Sequence, residues 1–92
     1  MRELPEKCIG IGEVRGFEFN QIKKSETAYV YEVKNCNRFH FEVFERKPNE
    51  QFGIVSYPGS KSFGLWAWNC LSLTSALERF KAIENTALLR AN

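Results

Sequence analysis

The sequence predicts an α+β domain, in which a four- to five-stranded antiparallel β-meander is followed by one C-terminal α-helix packed on the sheet. Apolar and aromatic residues alternate with polar ones from Gly16 to about Tyr57, which is the period of half-buried strands. From Leu73 onward, apolar residues recur at the spacing of a helix. We therefore expect a single domain with a lead-in segment over residues 1–15, the meander over 16–70 and the helix over 72–90.

Short polar segments separate the predicted strands, at residues 24–26, 35–37 and 47–50. A three-residue loop at 35–37 would place Val33 opposite Phe39 and Tyr31 opposite Phe41. The loop at 24–26 would place Phe19 opposite Tyr31, so both loops assign the aromatic residues to one face. We expect this face to be the buried one.

The later strands follow the same pattern more weakly. A fourth strand after the 47–50 loop would point Phe52 and Ile54 inward, with Val43 opposite Ile54. After the turn signal at 57–60, residues 63–70 can form a fifth strand that carries Trp66 and Trp68 on one face.

The predicted helix has an apolar stripe, which comprises Leu73, Ala76, Leu77, Phe80, Ile83 and Ala87. Ser72 is a suitable N-cap because its hydroxyl can accept a hydrogen bond from a first-turn N–H. We expect the stripe to pack on the sheet face that carries Phe17, Phe19, Tyr31 and Phe41.

Composition limits the function classes. With 13 Lys and Arg against 11 acidic residues, the net charge of +2 does not indicate a nucleic-acid or membrane partner. The three cysteines form no CxxC pair and are odd in number, which favours a reduced chain in the cytoplasm. The first seven residues lack the apolar core of a signal peptide, and we expect no membrane partner.

Candidate catalytic and metal-ligating residues are few. His40 is the single histidine, and Cys36 is the nearest residue that could join it as a zinc ligand, which falls short of four clustered ligands. Glu42 lies on the same predicted face as His40, but the sequence places no further group there that would activate the pair for proton transfer. We therefore expect no enzyme activity, no metal and no cofactor.

The aromatic residues point to a binding function. All of the eight Phe, three Tyr and two Trp except Phe80 lie between Phe17 and Trp68. One helix, about 10 Å across, cannot cover five strands about 4.8 Å apart. Strong curling of the sheet could reduce the area left to cover, and the lead-in segment could cover it through Leu4, Ile9, Ile11 and Val14. Otherwise the cover is a second copy of the chain or a ligand.

We accordingly expect a non-catalytic binding or assembly module with a protein partner, including a homodimer. On the face opposite the aromatic one, the candidate interface residues are Ile22, Ala28 and Phe44, which are predicted in register across three strands, with Val30 and Val55 nearby. The charged residues around them are of both signs, which suits protein contact better than a phosphate backbone.

The alternative is a single-stranded nucleic-acid-binding domain. Bases would stack on sheet aromatics, and the candidates are Tyr29, Tyr31, Trp66 and Trp68. Phosphates would meet the flanking basic residues, which are Lys23, Lys24, Lys34, Arg38 and Lys61.

Overall fold

The computed structural model describes residues 1–10 and 15–91, and it confirms the α+β meander with a C-terminal helix packed on the sheet. Its strands are β1 (Lys7–Ile9), β2 (Glu18–Lys24), β3 (Ala28–Asn35), β4 (Arg38–Glu45), β5 (Lys47–Asn49), β6 (Ile54–Ser56) and β7 (Ala67–Cys70). The helix, α1, spans Leu73–Ala91. In the part of the chain that the structure describes, the main antiparallel sheet has the order β1-β2-β3-β4-β7, and β5 and β6 pair separately.

The loop between β3 and β4 differs from the prediction by one residue. Asn35 pairs with Arg38, so the loop contains only Cys36 and Asn37. Cys36 has a φ of 57°, a conformation that two-residue hairpins require and that usually selects glycine. The cysteine gave no signal for this tight turn, and the predicted three-residue loop is wrong.

This one-residue difference turns every side chain of β4 to the other face. Tyr31 pairs with Glu42 rather than with Phe41, and Tyr29 pairs with Phe44. We call the side that carries these tyrosines the tyrosine face. The opposite side, which we call the helix face, carries the buried residues Ala28, Val30, Phe41 and Val43.

The pairing of β2 with β3 also departs from the prediction. Phe19 pairs with Val33 instead of Tyr31, and the register shifts between Gln21 and Lys23. The partner of Phe19 differs from the predicted one by two residues, and a shift of two residues keeps a side chain on the same face of the sheet. Phe19 therefore lies on the face predicted for it, which is the tyrosine face, and it is buried there.

The region after β4 does not extend the meander directly. β5 turns away and pairs with β6, and the place beside β4 is taken by β7. Phe52 is therefore 68% exposed, and the predicted pairing of Val43 with Ile54 is wrong. Pro48 in β5 lacks the N–H that a central strand needs, which favours this separate short pair.

The two tryptophans contact different faces of the sheet. Trp68 lies in β7 and packs in the core of the helix face, whereas Trp66 packs in the core of the tyrosine face. Trp66 precedes the strand, in a turn, so strand alternation does not apply to it. The expectation that both share one face is wrong.

Helix α1 begins as the sequence predicts. The Ser72 hydroxyl accepts a hydrogen bond from the Ser75 N–H at 3.1 Å, which confirms the N-cap. The buried residues of the helix are Ala76, Phe80 and Ile83, and they pack on the helix face. The predicted packing of Phe80 against Phe19 and Tyr31 is therefore wrong, because the β4 register moved the docking surface to the other side.

The tyrosine face is covered by other parts of the same chain. Leu4, Phe63 and Trp66 pack on its buried core, and Val55 of β6 belongs to that core. Leu4 thus covers the face as the lead-in prediction proposed, while Ile11 and Val14 lie outside the described residues. Of the elements described, no helix is long and apolar enough to cross a membrane.

Candidate functional site

The predicted protein interface does not form a surface patch. Ala28 and Val30 are buried in the helix-face core, whereas Phe44 and Val55 are buried in the tyrosine-face core. Only Ile22 is exposed. Phe44 lies on the other face because the loop between β3 and β4 has two residues, and Val55 lies in β6, which does not pair with β4. Phe44 is fully buried within the chain, so it does not offer a surface to a second copy.

The residues predicted to bind nucleic acid are not gathered on one surface. Tyr29 and Tyr31 are buried, and their hydroxyls donate hydrogen bonds to Glu3 Oε1 and to the Pro5 carbonyl. Burial raises the pKa of Tyr31 to about 12. Neither ring is available for stacking on a base.

The remaining members of that set are spread over the molecule. Trp66 and Trp68 lie against opposite faces, while Lys24, Arg38 and Lys61 are exposed at separate positions. Lys23 Nζ lies 4.9 Å from the centre of the Phe80 ring, and Lys34 pairs with Glu32 at 3.3 Å. A continuous basic and aromatic track is therefore not formed by these residues.

Glu3 holds the N-terminal segment on the tyrosine face. Its carboxylate accepts hydrogen bonds from Arg46 Nε at 3.0 Å, from Arg46 Nη2 at 2.6 Å and from the Tyr29 hydroxyl. The Arg46 and Tyr29 hydrogen bonds lower the pKa of Glu3 from 4.5 to about 2. The same contact neutralises the Arg46 guanidinium.

This contact predicts an acid-sensitive stability. A carboxyl whose pKa is lower in the folded state stabilises the fold above its ordinary pKa, so the contribution of Glu3 should be lost as pH falls from about 4.5 to about 2. Urea denaturation at a series of pH values tests this expectation. Glu3→Gln should lower the free energy of unfolding at pH 7, and this free energy should then fall less over that pH interval than it does in the wild type. The exposed Glu50→Gln should keep the wild-type profile, and equal profiles for wild type and Glu3→Gln would contradict the prediction.

A second polar cluster surrounds Glu42, which is only 7% exposed. The carboxylate accepts a hydrogen bond from the Tyr57 hydroxyl on Oε1, and His40 Nε2 lies 3.2 Å from Oε2. Burial and this carboxylate raise the pKa of Tyr57. Because both oxygens of Glu42 already have partners, the cluster holds Tyr57 over the rings of Phe19 and Phe44.

Burial affects two of the three thiols in the described part of the chain. Cys8, Cys36 and Cys70 are free, and burial raises the pKa of Cys8 and of Cys70, which disfavours the nucleophilic thiolate. The described residues contain no group of three or more His, Cys, Asp or Glu that could hold a metal ion.

One concavity is a groove of about 420 Å³ between the C-terminal half of α1 and the end of the sheet where β3 begins and β4 ends. We call it the helix groove. Its lining includes the apolar side chains of Trp68, Ile83 and Ala87, which we call its apolar floor. Ile83 is buried in the helix-face core, so the floor is continuous with the packed interior.

Charged side chains line the helix groove on two sides. Arg79 and Arg90 belong to α1, whereas Glu26 precedes β3 and Glu45 ends β4. The Arg79 guanidinium lies 4.7 Å from the centre of the Trp68 ring, at cation–π distance. The groove can therefore offer one apolar surface and charges of both signs to a bound segment.

The sequence does not predict this groove. Arg79 lies outside the predicted apolar stripe of the helix, and Glu26 falls in the predicted loop at residues 24–26. Glu26 precedes Arg90 by 64 positions, and only the strand register brings the two together. The one available signal was Trp68, a large aromatic residue four positions before the helix cap.

The chain was compared with models of protein families, with curated proteins and with solved structures, and none of them matches it.

Proposed function

We propose that this chain is a small non-catalytic binding module of the cytoplasm that docks a segment of a protein partner in the helix groove. The observation that carries the proposal is the groove itself, an open concavity of about 420 Å³ with an apolar floor and a charged rim. An apolar centre within a polar rim is the usual arrangement of protein interfaces.

The charges favour a protein over a nucleic acid. Glu26 and Glu45 in the lining offset Arg79 and Arg90, and Arg46 is already paired with Glu3. A single-stranded nucleic acid needs a positive track along its phosphates and exposed rings for its bases. Acidic residues at the groove would repel those phosphates.

Two hydroxyl groups of the lining are engaged inside the chain. The Thr27 hydroxyl donates to Glu84 Oε1 at 2.9 Å, and the Thr86 hydroxyl donates to the Ala82 carbonyl at 3.0 Å. Because both hydroxyls already donate within the chain, recognition in the groove depends on its apolar and charged side chains.

The proposal can be tested with a random peptide library displayed against the full chain. Thr86 lines the groove and is exposed, so Thr86→Trp should fill the groove while leaving the core intact. Thr74→Trp is a matched control, because Thr74 is an exposed threonine of the same helix outside the groove lining.

Wild type and Thr74→Trp should enrich the same peptides, and Thr86→Trp should bind them about tenfold more weakly or worse, a loss of about 1.4 kcal/mol. Failure to enrich any peptide would contradict the proposal. A labelled single-stranded oligonucleotide provides the comparison: affinity that falls with salt by about 0.7 in log slope per phosphate would favour the nucleic-acid alternative.

Self-association is the second form of the same proposal. Leu65 and Leu88 are exposed beside the C-terminal half of α1, where Leu65 lines the helix groove and Leu88 lines a neighbouring pocket. Light scattering at rising concentration distinguishes the two forms. A dimer that Thr86→Trp dissociates would identify a second copy as the partner. A chain that stays monomeric at every concentration would indicate that the partner is a different protein.

A further inference from the structure

The four rim charges of the helix groove are separated by sign. Arg79 and Arg90 stand on the helix wall, whereas Glu26 and Glu45 stand on the wall formed by the end of the sheet. Among the described residues, these four side chains form no ion pair within 4.0 Å, either with each other or elsewhere. The groove therefore has a positive wall and a negative wall that do not neutralise each other by contact.

Arg79 is held ready for an acidic ligand group. Its guanidinium lies over the Trp68 ring, with 4.7 Å between the guanidinium carbon and the ring centre. At this distance the positive charge is attracted to the ring, and the guanidinium N–H groups remain donors that can bind a carboxylate, often in pairs. The contact with Trp68 therefore favours a position of the Arg79 charge at the groove.

The negative wall is available for a basic ligand group. Arg46 is the basic residue among those that line this side, and its guanidinium is already occupied by the two oxygens of Glu3. Glu45 and Glu26 therefore face the groove without neutralisation by Arg46. A cationic side chain of a ligand would meet complementary charge here and like charge at the helix wall.

We infer that the helix groove recognises a peptide segment in which an apolar side chain lies between an acidic and a basic residue. The acidic residue pairs with Arg79 and Arg90, the basic residue pairs with Glu26 and Glu45, and the apolar side chain contacts Trp68 and Ile83. This inference rests on the proposed function and specifies the partner of that site. Charge complementarity of this kind selects partners and fixes their orientation more than it adds affinity.

Two charge-reversal variants test the inference by peptide display with the full chain. Arg79→Glu with Arg90→Glu makes both walls negative, and the peptides selected should lose acidic residues and gain basic ones. Glu26→Lys with Glu45→Lys makes both walls positive, and the selection should change in the opposite direction. The reversal at Arg79 should also weaken peptides selected on wild type about tenfold or more.

The control separates local recognition from net charge. Lys61→Glu with Lys81→Glu changes the net charge by the same amount as the arginine variant, at exposed positions outside the groove lining. This control should keep the wild-type selection. Because Arg79 contacts Trp68, circular dichroism must show that each variant is folded, and Arg90→Glu alone serves where the double variant is not.

The outcomes distinguish the two proposals. If wild type enriches no peptide, the proposed function fails. If wild type enriches peptides that Thr86→Trp no longer binds, but the selected charges are unchanged in both reversal variants, the inference is overturned and the proposed function stands. Opposite changes of selected charge in the two variants, with none in the control, support the inference.

Discussion

Phe44→Ala is expected to lower the free energy of unfolding by about 3–5 kcal/mol, the range found when a buried phenylalanine is truncated. Phe44 is fully buried, and its ring stacks on Tyr29 at 5.5 Å and on Tyr31 at 5.8 Å between centres. Tyr57 and Trp66 contact it edge-on. Removing the ring therefore leaves a cavity among four aromatic side chains.

Such a loss would be a large part of the stability of a small domain, which is about 5–15 kcal/mol in total. Urea denaturation followed by tryptophan fluorescence measures it directly. Phe52→Ala is the control, because Phe52 is exposed and its truncation should change stability by no more than about 0.5 kcal/mol. Equal effects of the two substitutions would contradict the burial of Phe44.

The sequence predicted the central strands and the C-terminal helix because these depend on local periodicity, but it predicted neither β1 nor the separate pair of β5 and β6. Alternation identified β2, β3 and β4, and the helical stripe together with Ser72 located the start of α1. The strand register does not follow from periodicity. Adding or removing one loop residue keeps the alternation but moves every side chain of the next strand to the other face of the sheet. The positive φ of Cys36 decided that register, and a cysteine carries no turn signal that could reveal it.

The candidate site was harder to predict than the fold for the same reason. The helix groove joins a turn, the end of β4, a residue of β7 and the last turns of α1. The position of the groove depends on the sheet face against which the helix packs, and the wrong β4 register led to the wrong face. Both sheet faces are apolar at their centres, so hydrophobic patterning alone could not choose between them.

Phe80→Ala is expected to lower the free energy of unfolding by about 3–5 kcal/mol, because the Phe80 ring is buried where α1 packs on the helix face. Leu77 is 37% exposed on the same helix, and Leu77→Ala should cost clearly less. A loss below about 1 kcal/mol for Phe80→Ala would contradict the docking of α1 through this residue.

The size of that loss does not identify the face on which the helix packs, so a double-mutant cycle is required. Phe80→Leu should couple with Phe41→Leu, which lies in the same core, by about 0.5–3 kcal/mol. Phe80→Leu should be additive with Phe19→Leu within about 0.5 kcal/mol, since Phe19 lies on the tyrosine face. The reverse result, coupling to Phe19 and additivity with Phe41, would place α1 on the tyrosine face. That placement would also separate Arg79 from Trp68 and remove the helix groove on which the proposed function depends.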